Sequence, residues 1–336
     1  MKKLRIVWKI VAGVLVIIVC IYFVSATLKF KYWDGVLPME DIYNYPEDTI
    51  DVLLVGSSHM GINVDAAELW DDQGIASYCV WGAYQPMWNS YYDIVEVLKT
   101  QKPRLIVLET YGMLNLDEYV DYASRIKNTM GMRFSINKIN AVKTSCPEEE
   151  WGDMILEIPT YHSRYSELTK DDFEHYFWQK DLVNKHTVLI NNTVEFETPD
   201  VSEVEERGIL SEKQIEYFEK IVKLASDNDI DLLLITTPYA LKEEEQAQFN
   251  SIADLANKYS VPYINYNLYY DEIGLDFSND LSDEGGGHLN GYGARKVSKS
   301  LAEYIENNYE IPDRRGDKSY SSWEEFSEQN KAILAK

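Results

Sequence analysis

Few side chains in this 336-residue sequence are of the type and in the setting to do bond chemistry, and they sit near its two ends. The run Ile50-Asp51-Val52-Leu53-Leu54-Val55 leads straight into Gly56-Ser57-Ser58-His59-Met60-Gly61. A serine at the start of a helix that follows a parallel strand has backbone N–H groups and the positive end of the helix dipole beside it, which suits a nucleophile whose intermediate is an oxyanion. The plain alternative is a helix cap, the commoner role for a serine after a strand-end glycine. Near the other end, Asp280-Leu281-Ser282-Asp283-Glu284-Gly285-Gly286-Gly287-His288-Leu289-Asn290 is a loop of acids and glycines that closes on a histidine. A hydroxyl attacks only if a base takes its proton, and the base needs a third group to hold its tautomer. Ser58, His288 and either Asp283 or Asp280 can fill those roles, although a histidine at a helix start is by itself weak evidence.

The elements that must position these residues are legible as alternating runs. Apolar, β-branched segments at 50–55, 75–80, 104–109, 231–236 and, more weakly, 261–265 read as strands buried on both faces. Between them, 64–73, 86–101, 211–227, 241–259 and 291–309 place apolar residues at helical spacing. A parallel crossover needs a helix to return the chain, so the expected fold is a three-layer α/β/α sandwich on a parallel sheet, of flavodoxin-like type, over 50–310. Residues 113–207 break the alternation as a long insertion rich in aromatic and charged residues, where such folds often build a lid or substrate cleft. The polar tail 311–336 has a capped-helix signature at Ser322 and Glu325, and Trp323, Phe326, Ile333 and Leu334 either dock it or leave it frayed.

Charge separates the N-terminus from everything else. The first 28 residues hold Lys2, Lys3, Arg5 and Lys9 and no acid, whereas the whole chain has 32 basic against 56 acidic residues and a net charge of -24. A surface that negative repels phosphate backbones, which excludes nucleic-acid binding as the main function. Ile10 to Leu28 is uncharged over 19 residues, and at ~1.5 Å per residue it matches the ~30 Å hydrocarbon core. Basic residues on its N-terminal side alone put residues 1–9 in the cytoplasm and the rest outside. The run is longer than a typical signal-peptide core, which favours an uncleaved single-pass membrane anchor over 1–28, followed by a stalk over 29–49; a cleaved signal peptide is the rival reading. Cys79 and Cys146 form one disulfide or remain two buried thiols. With five scattered histidines and no CxxC, HExxH or glycine-rich phosphate loop, neither a metal nor a cofactor is expected.

Taken together, Gly56-Ser57-Ser58-His59, the segment Asp283…His288-Leu289-Asn290-x-x-Gly293-Ala294 and the strand ending Thr236-Thr237-Pro238 resemble the SGNH/GDSL hydrolase superfamily. More closely, they are similar to its membrane-anchored branch related to the D-alanyl transfer protein of teichoic acid modification. The resemblance covers about 50–308 and implies Ser58 as nucleophile and His288 as base. The family's acid usually stands three residues before the histidine, a place held here by Gly285; Asp283 is preferred to Asp280. The loop after the second strand implies Gly82 as an oxyanion donor, with Gln85 beside it. Ordinary SGNH esterases carry Gly-x-Asn-Asp after the third strand, where this chain has Glu109-Thr110-Tyr111-Gly112. Losing one oxyanion donor costs about 2.7–4 kcal/mol, which argues against a fast general esterase and fits a slow or partner-dependent transferase. Glu109 either binds a substrate hydroxyl or ammonium or simply ends the strand.

Within the insertion, Tyr161-His162-Ser163-Arg164-Tyr165 resembles a segment recurring in the anchored branch, so His162 and Arg164 are candidates to hold a substrate anion or sugar, against packing and ion pairing as alternatives. His59 is a candidate of the same kind. The leading expectation is serine-dependent acyl-ester chemistry, esterase or O-acyltransferase, on a cell-surface glycan or teichoic-acid-type polymer. By resemblance the partner is a multispanning membrane-bound O-acyltransferase. The alternative is a non-catalytic accessory or glycan-binding protein.

Overall fold

The computed structural model describes residues 2–177 and 182–335; Met1, Lys336 and residues 178–181 of the insertion lie outside the described residues. Five strands, β1 (Val52–Gly56), β2 (Ser77–Trp81), β3 (Leu105–Glu109), β4 (Asp231–Thr236) and β5 (Tyr263–Asn265), form one sheet in the order β2-β1-β3-β4-β5. Every pairing is parallel, with Val52 opposite both Ser77 and Leu105, Leu105 opposite Asp231 and Leu234 opposite Tyr263. Because β1 lies between β2 and β3, with the chain passing first to one side of it and then to the other, the strand order reverses beside its carboxyl end, the place where open parallel sheets bind ligands.

The helices follow in chain order. The N-terminal part has α1 (Lys2–Leu28), α2 (Val36–Asp41), α3 (Ser58–Asn63), α4 (Ala66–Gln73) and α5 (Met87–Val97). The insertion contributes α6 (Tyr122–Met130), α7 (Ile136–Ser145), α8 (Trp151–Leu156), α9 (Ile158–Tyr161) and α10 (Lys170–Phe177). The remainder are α11 (Glu212–Asp227), α12 (Glu243–Lys258), α13 (Tyr270–Ile273), α14 (Gly291–Asn308) and α15 (Ser321–Leu334).

Side chains alternate across a strand, so each strand feeds two cores. Leu53, Val55, Tyr78, Val80, Ile106, Leu108 and Leu234 pack with Trp88, Ile94, Phe218 and Phe249 of α5, α11 and α12. Val52, Leu54, Cys79, Leu105, Val107, Leu233 and Ile235 face Leu69, Val297, Leu301 and Phe326 of α4, α14 and α15. This is the expected three-layer sandwich, and the continuous apolar strands are its physical cause. The α1 helix is long and apolar enough to cross a membrane.

Three segments differ from expectation. Residues 29–49 are not an extended stalk: Val36, Met39, Ile42 and Tyr45 are buried, and Tyr78 donates from its hydroxyl to the Pro38 carbonyl at 2.8 Å. The tail is docked through buried Trp323 and Phe326, with the Trp323 indole N–H donating to the Ser77 carbonyl at 2.8 Å, while Ile333 stays exposed. Its capping box does not form, because α15 starts at Ser321 and the Ser322 hydroxyl instead accepts from the Lys185 ammonium. The insertion is divided: its first residues, among them Leu114, Asp117 and Asp121, line a cavity beside Tyr111, past the end of β3. Its helices gather Ile126, Met130, Val142, Cys146, Met154 and Tyr161 around Leu28 at the end of α1. Its later part covers the β2 edge, where the Cys79 N–H donates to the Lys185 carbonyl. Cys79 and Cys146 are free buried thiols in two separate cores, so the disulfide alternative falls away.

Candidate functional site

At the carboxyl end of β1 the chain turns sharply into α3. Gly56 is required there by close approach: a Cβ would lie 2.6 Å from the Glu109 Cβ. Ser57 takes the cap, its hydroxyl accepting from the His59 N–H at 3.2 Å. Capping by Ser57 leaves Ser58 as the first residue of the helix. Among the described residues nothing accepts the Ser58 N–H, one of the orphan donors of a helix start.

The two ends of the sequence meet at this turn. The His288 Nε2 lies 2.9 Å from the Ser58 Oγ, and its Nδ1 lies 3.0 Å from an Asp283 carboxylate oxygen. With the carboxylate on Nδ1, the proton belongs there and Nε2 is left as the acceptor for the serine hydroxyl. Asp283 also accepts from the His288 N–H at 2.9 Å and the Gly287 N–H at 3.2 Å. Partial burial works to raise this carboxyl, but the Gly287 N–H, the imidazole and the His288 N–H outweigh it and hold the carboxyl below its ordinary range. The five-residue spacing is possible because Gly286 turns at φ +66° with the Ala240 side chain against it, leaving no room for a Cβ. Asp280, the alternative acid, is spent elsewhere, on the Lys296 ammonium at 2.7 Å and the Asp276 N–H at 2.6 Å.

Asn63, which the sequence did not single out, ties the parts together. Its side-chain oxygen accepts from the Leu289 N–H at 2.9 Å, and its amide donates to the Thr237 hydroxyl at 3.0 Å and the Pro238 carbonyl at 3.3 Å. One buried amide thus joins α3, the end of β4 and the histidine loop. Its only sequence signal is a polar residue closing the short helix that starts at Ser58.

Glu109 also gains a definite place. It is fully buried, accepts from the Ser57 hydroxyl at 2.8 Å and the Ser57 N–H at 3.3 Å, and takes the Tyr111 N–H on its other oxygen. Burial pushes its carboxyl up to about 7 against these hydrogen bonds. It therefore braces the residue before Ser58 from below, so the sequence reading of a substrate-binding carboxylate is replaced by an internal one.

The remaining candidates fare differently. The Gly82 N–H continues the sheet ladder to the Gly56 carbonyl at 3.3 Å, with the Asn128 side chain packed against its Cα, so it is not turned toward Ser58 as an oxyanion donor. Gln85 is buried and donates to the Ser90 hydroxyl at 3.1 Å at the start of α5, which removes it from the site. His59 is buried, stacked on Tyr111 with ring centroids 3.9 Å apart, and 5.2 Å from the His288 ring. Burial, with His288 nearby, holds it well below its ordinary pKa, so it is a neutral packing partner of the site. His162 is exposed and, among the described residues, its ring hydrogen-bonds to the Pro159 carbonyl alone, at 2.6 Å. Arg164 donates to the Leu28 and Lys29 carbonyls at 2.8 and 2.6 Å and pairs with Asp172, capping the end of α1 rather than a substrate.

A cavity of about 390 Å³ opens beside Tyr111, lined by Tyr84, Tyr119, Asp117, Asp121 and Glu245, and among the described residues no Lys or Arg lines it. The described residues hold no cluster of His, Cys, Asp or Glu fit for a metal ion.

Comparisons with known proteins extend the description only slightly. No protein-family model matches the chain, and no curated protein matches it in sequence. Among solved structures, the chain is similar to a candidate acylhydrolase from Bacteroides fragilis NCTC 9343 at 11% identity and a TM-score of 0.41, covering 83% of this chain and 99% of that one. It is also similar to a GDSL-like lipase from Bacteroides thetaiotaomicron VPI-5482 at 11% identity and a TM-score of 0.35, covering 76% and 87%. Likeness at this level carries no argument about activity, which rests on the site itself.

Proposed function

We propose that the chain is a serine-dependent acyl-ester enzyme, anchored by α1 with its folded domain on the outer face of a membrane. The observation that carries this reading is the continuous relay from Ser58 through His288 to Asp283. Ser58 Oγ attacks the acyl carbonyl carbon as its proton passes to His288 Nε2, and Asp283 holds the imidazolium that forms. The oxyanion faces the unpaired Ser58 N–H and the positive end of α3. Collapse of the intermediate expels the leaving alkoxide, which takes the proton from His288 and leaves an acyl-serine. His288 then takes the proton of an acceptor hydroxyl, or of water, as that oxygen attacks the acyl-serine, and returns it to Ser58.

With Gly82 engaged in the sheet and no Asn after β3, this chain offers one clear oxyanion donor where faster enzymes use two or three. That favours transfer to a surface-polymer hydroxyl, with a site completed by a membrane-bound O-acyltransferase partner, over rapid general hydrolysis. The acidic, tyrosine-rich cavity suits a sugar or a cationic acyl group better than an anion. The same shortage of donors is what favours the second reading, a non-catalytic accessory or glycan-binding protein of an envelope acylation system.

The test is intact mass of the full chain in detergent after exposure to a fluorophosphonate, with Ser58→Ala and His288→Ala alongside. A single adduct lost in both variants is expected. A wild-type chain that stays unmodified both alone and in membranes that carry the acyltransferase partner would overturn the enzyme reading in favour of the accessory one.

A further inference from the structure

The apolar run of α1 is longer than the part of it left uncovered by protein. Ala26, Thr27 and Leu28 are buried against the domain, whereas large apolar side chains up to Val24 are exposed. The uncharged, uncovered stretch is therefore Ile10–Val24. At ~1.5 Å per residue it reaches about 22 Å, some 8 Å short of a ~30 Å hydrocarbon core. A shortfall of this kind is met by bilayer thinning or by snorkelling of flanking residues, here Lys9 beside exposed Leu4 to Trp8, and it is eased at the other end by apolar surface next to the helix.

That surface is present. The loop before α7 and the end of α8 share a cavity of about 550 Å³ with Tyr22, Ser25 and Ala26 of α1, so they stand level with its outer end. Phe134 and Leu156, which line it, are 73% and 66% exposed, and Ile136, two residues past Phe134, is 78% exposed. Exposed apolar residues are ordinary when scattered singly, but Phe134 and Leu156 share one cavity with the end of the α1 helix, and Ile136 extends the apolar surface at the start of α7. Of the charges that line the cavity, Lys29 pairs with Glu40 at 2.6 Å and Lys138 with Glu157. Arg133, which lines it too, is exposed and lies over the Tyr43 ring at 4.1 Å with no carboxylate partner among the described residues.

We propose that Phe134, Ile136 and Leu156 form a second membrane contact, pressed into the outer leaflet beside α1, and that Arg133 meets lipid phosphate at its rim. This rests on the reading of α1 as a membrane span. The contact fixes the height of the domain, because α1 is joined to it through the Arg164 bonds to Leu28 and Lys29. It also sets which way the candidate site looks. The Trp33 ring, five residues past α1, meets Trp81 at the carboxyl end of β2 with centroids 5.5 Å apart, and the Asp34 carbonyl accepts from the Ala83 N–H. The sheet edge that carries Ser58 therefore faces the chain's exit from the bilayer, and the enzyme meets substrate at the membrane surface.

The test uses the full chain with Cys20→Ser, since Cys79 and Cys146 are buried, in vesicles of phosphatidylglycerol and phosphatidylethanolamine. Spin labels are placed singly at Phe134→Cys, Ile136→Cys and Leu156→Cys, with Val16→Cys as the span reference and the exposed Ile209→Cys as the water reference. Collision with oxygen is compared with collision with a water-soluble nickel chelate. The expected result is that the three sites favour oxygen, less deeply than Val16, while Ile209 favours nickel. If Val16 lies in hydrocarbon and the three sites behave like Ile209, the proposal fails with the span reading intact, and the patch is left for a protein partner. If Val16 itself reads as aqueous, the span reading fails and takes the proposal with it.

Discussion

Replacing Glu109 by Gln tests how the floor beneath the nucleophile is held. The carboxyl is fully buried and, among the described residues, meets the Ser57 hydroxyl and backbone N–H groups and no cation. Unfolded, it titrates near its ordinary 4.5; folded, burial pushes it up to about 7. Between those pH values the folded chain keeps a proton that the unfolded chain has released. Stability therefore falls as the pH climbs from about 4.5 to about 7, and the contribution is flat on either side. At 1.36 kcal/mol per tenfold, the gap amounts to about 3 kcal/mol. For 336 residues that corresponds to about 4 °C in melting midpoint. Glutamine does not titrate, so the variant should lack this decline. It should also carry a constant penalty of about 1–3 kcal/mol, because both carboxylate oxygens accept hydrogen bonds and an amide NH2 must face one of those donors. The assay is the melting midpoint of wild type and Glu109→Gln from pH 5 to pH 8, and the variant should gain on wild type by about 4 °C across that range. Parallel curves, with the same offset at every pH, would refute the reasoning. Buried Asp65 and Asp93, also raised by desolvation, titrate in both proteins and cancel.

Further outcomes follow from the same geometry. Asp283→Asn should slow fluorophosphonate labelling of Ser58 by about 10³–10⁴-fold through the wrong imidazole tautomer, whereas Asp280→Asn should leave the rate per folded molecule nearly unchanged; equal losses in both would show that the acid is misassigned. Asn63→Ala leaves the buried Leu289 N–H without its acceptor, and should cost about 1–3 kcal/mol by chemical unfolding, with slower labelling because the histidine loop loosens. Gly61→Ala puts a Cβ 2.2 Å from the Trp81 ring. It should lower the melting midpoint by the equivalent of at least about 1–3 kcal/mol, and a variant as stable as wild type would show that the α3–β2 contact is not tight.

What a sequence determines by itself is whatever depends on neighbours along the chain. The four longer strands are continuous apolar runs because a parallel strand is buried on both faces, and that burial is written in consecutive residues such as Val52–Val55. The long apolar N-terminal helix, the crossover helices and the capped turn carrying Ser58 are local patterns of the same sort. The shape of the fold was legible for this reason, as was the suggestion that Ser58 and His288 belong together.

The choice between Asp283 and Asp280 was not legible, since a loop with three glycines can bring either carboxylate to the ring; the Lys296 ammonium, one turn into α14, decides it by claiming Asp280. Gly82 looked like a free donor until the β1–β2 register sent its N–H to Gly56. Arg164 was open between a substrate ligand and an ion pair; it pairs with Asp172 and also donates to a carbonyl 136 residues earlier in the chain. Glu109 and Asn63 acquired their roles from contacts across strand ends and helices, and residues 29–49 became part of the core through the same packing. In each case the deciding interaction joins groups far apart in sequence. Only the closed tertiary structure sets which of several competent donors, acceptors or apolar faces arrives first, because burial makes each such partnership exclusive.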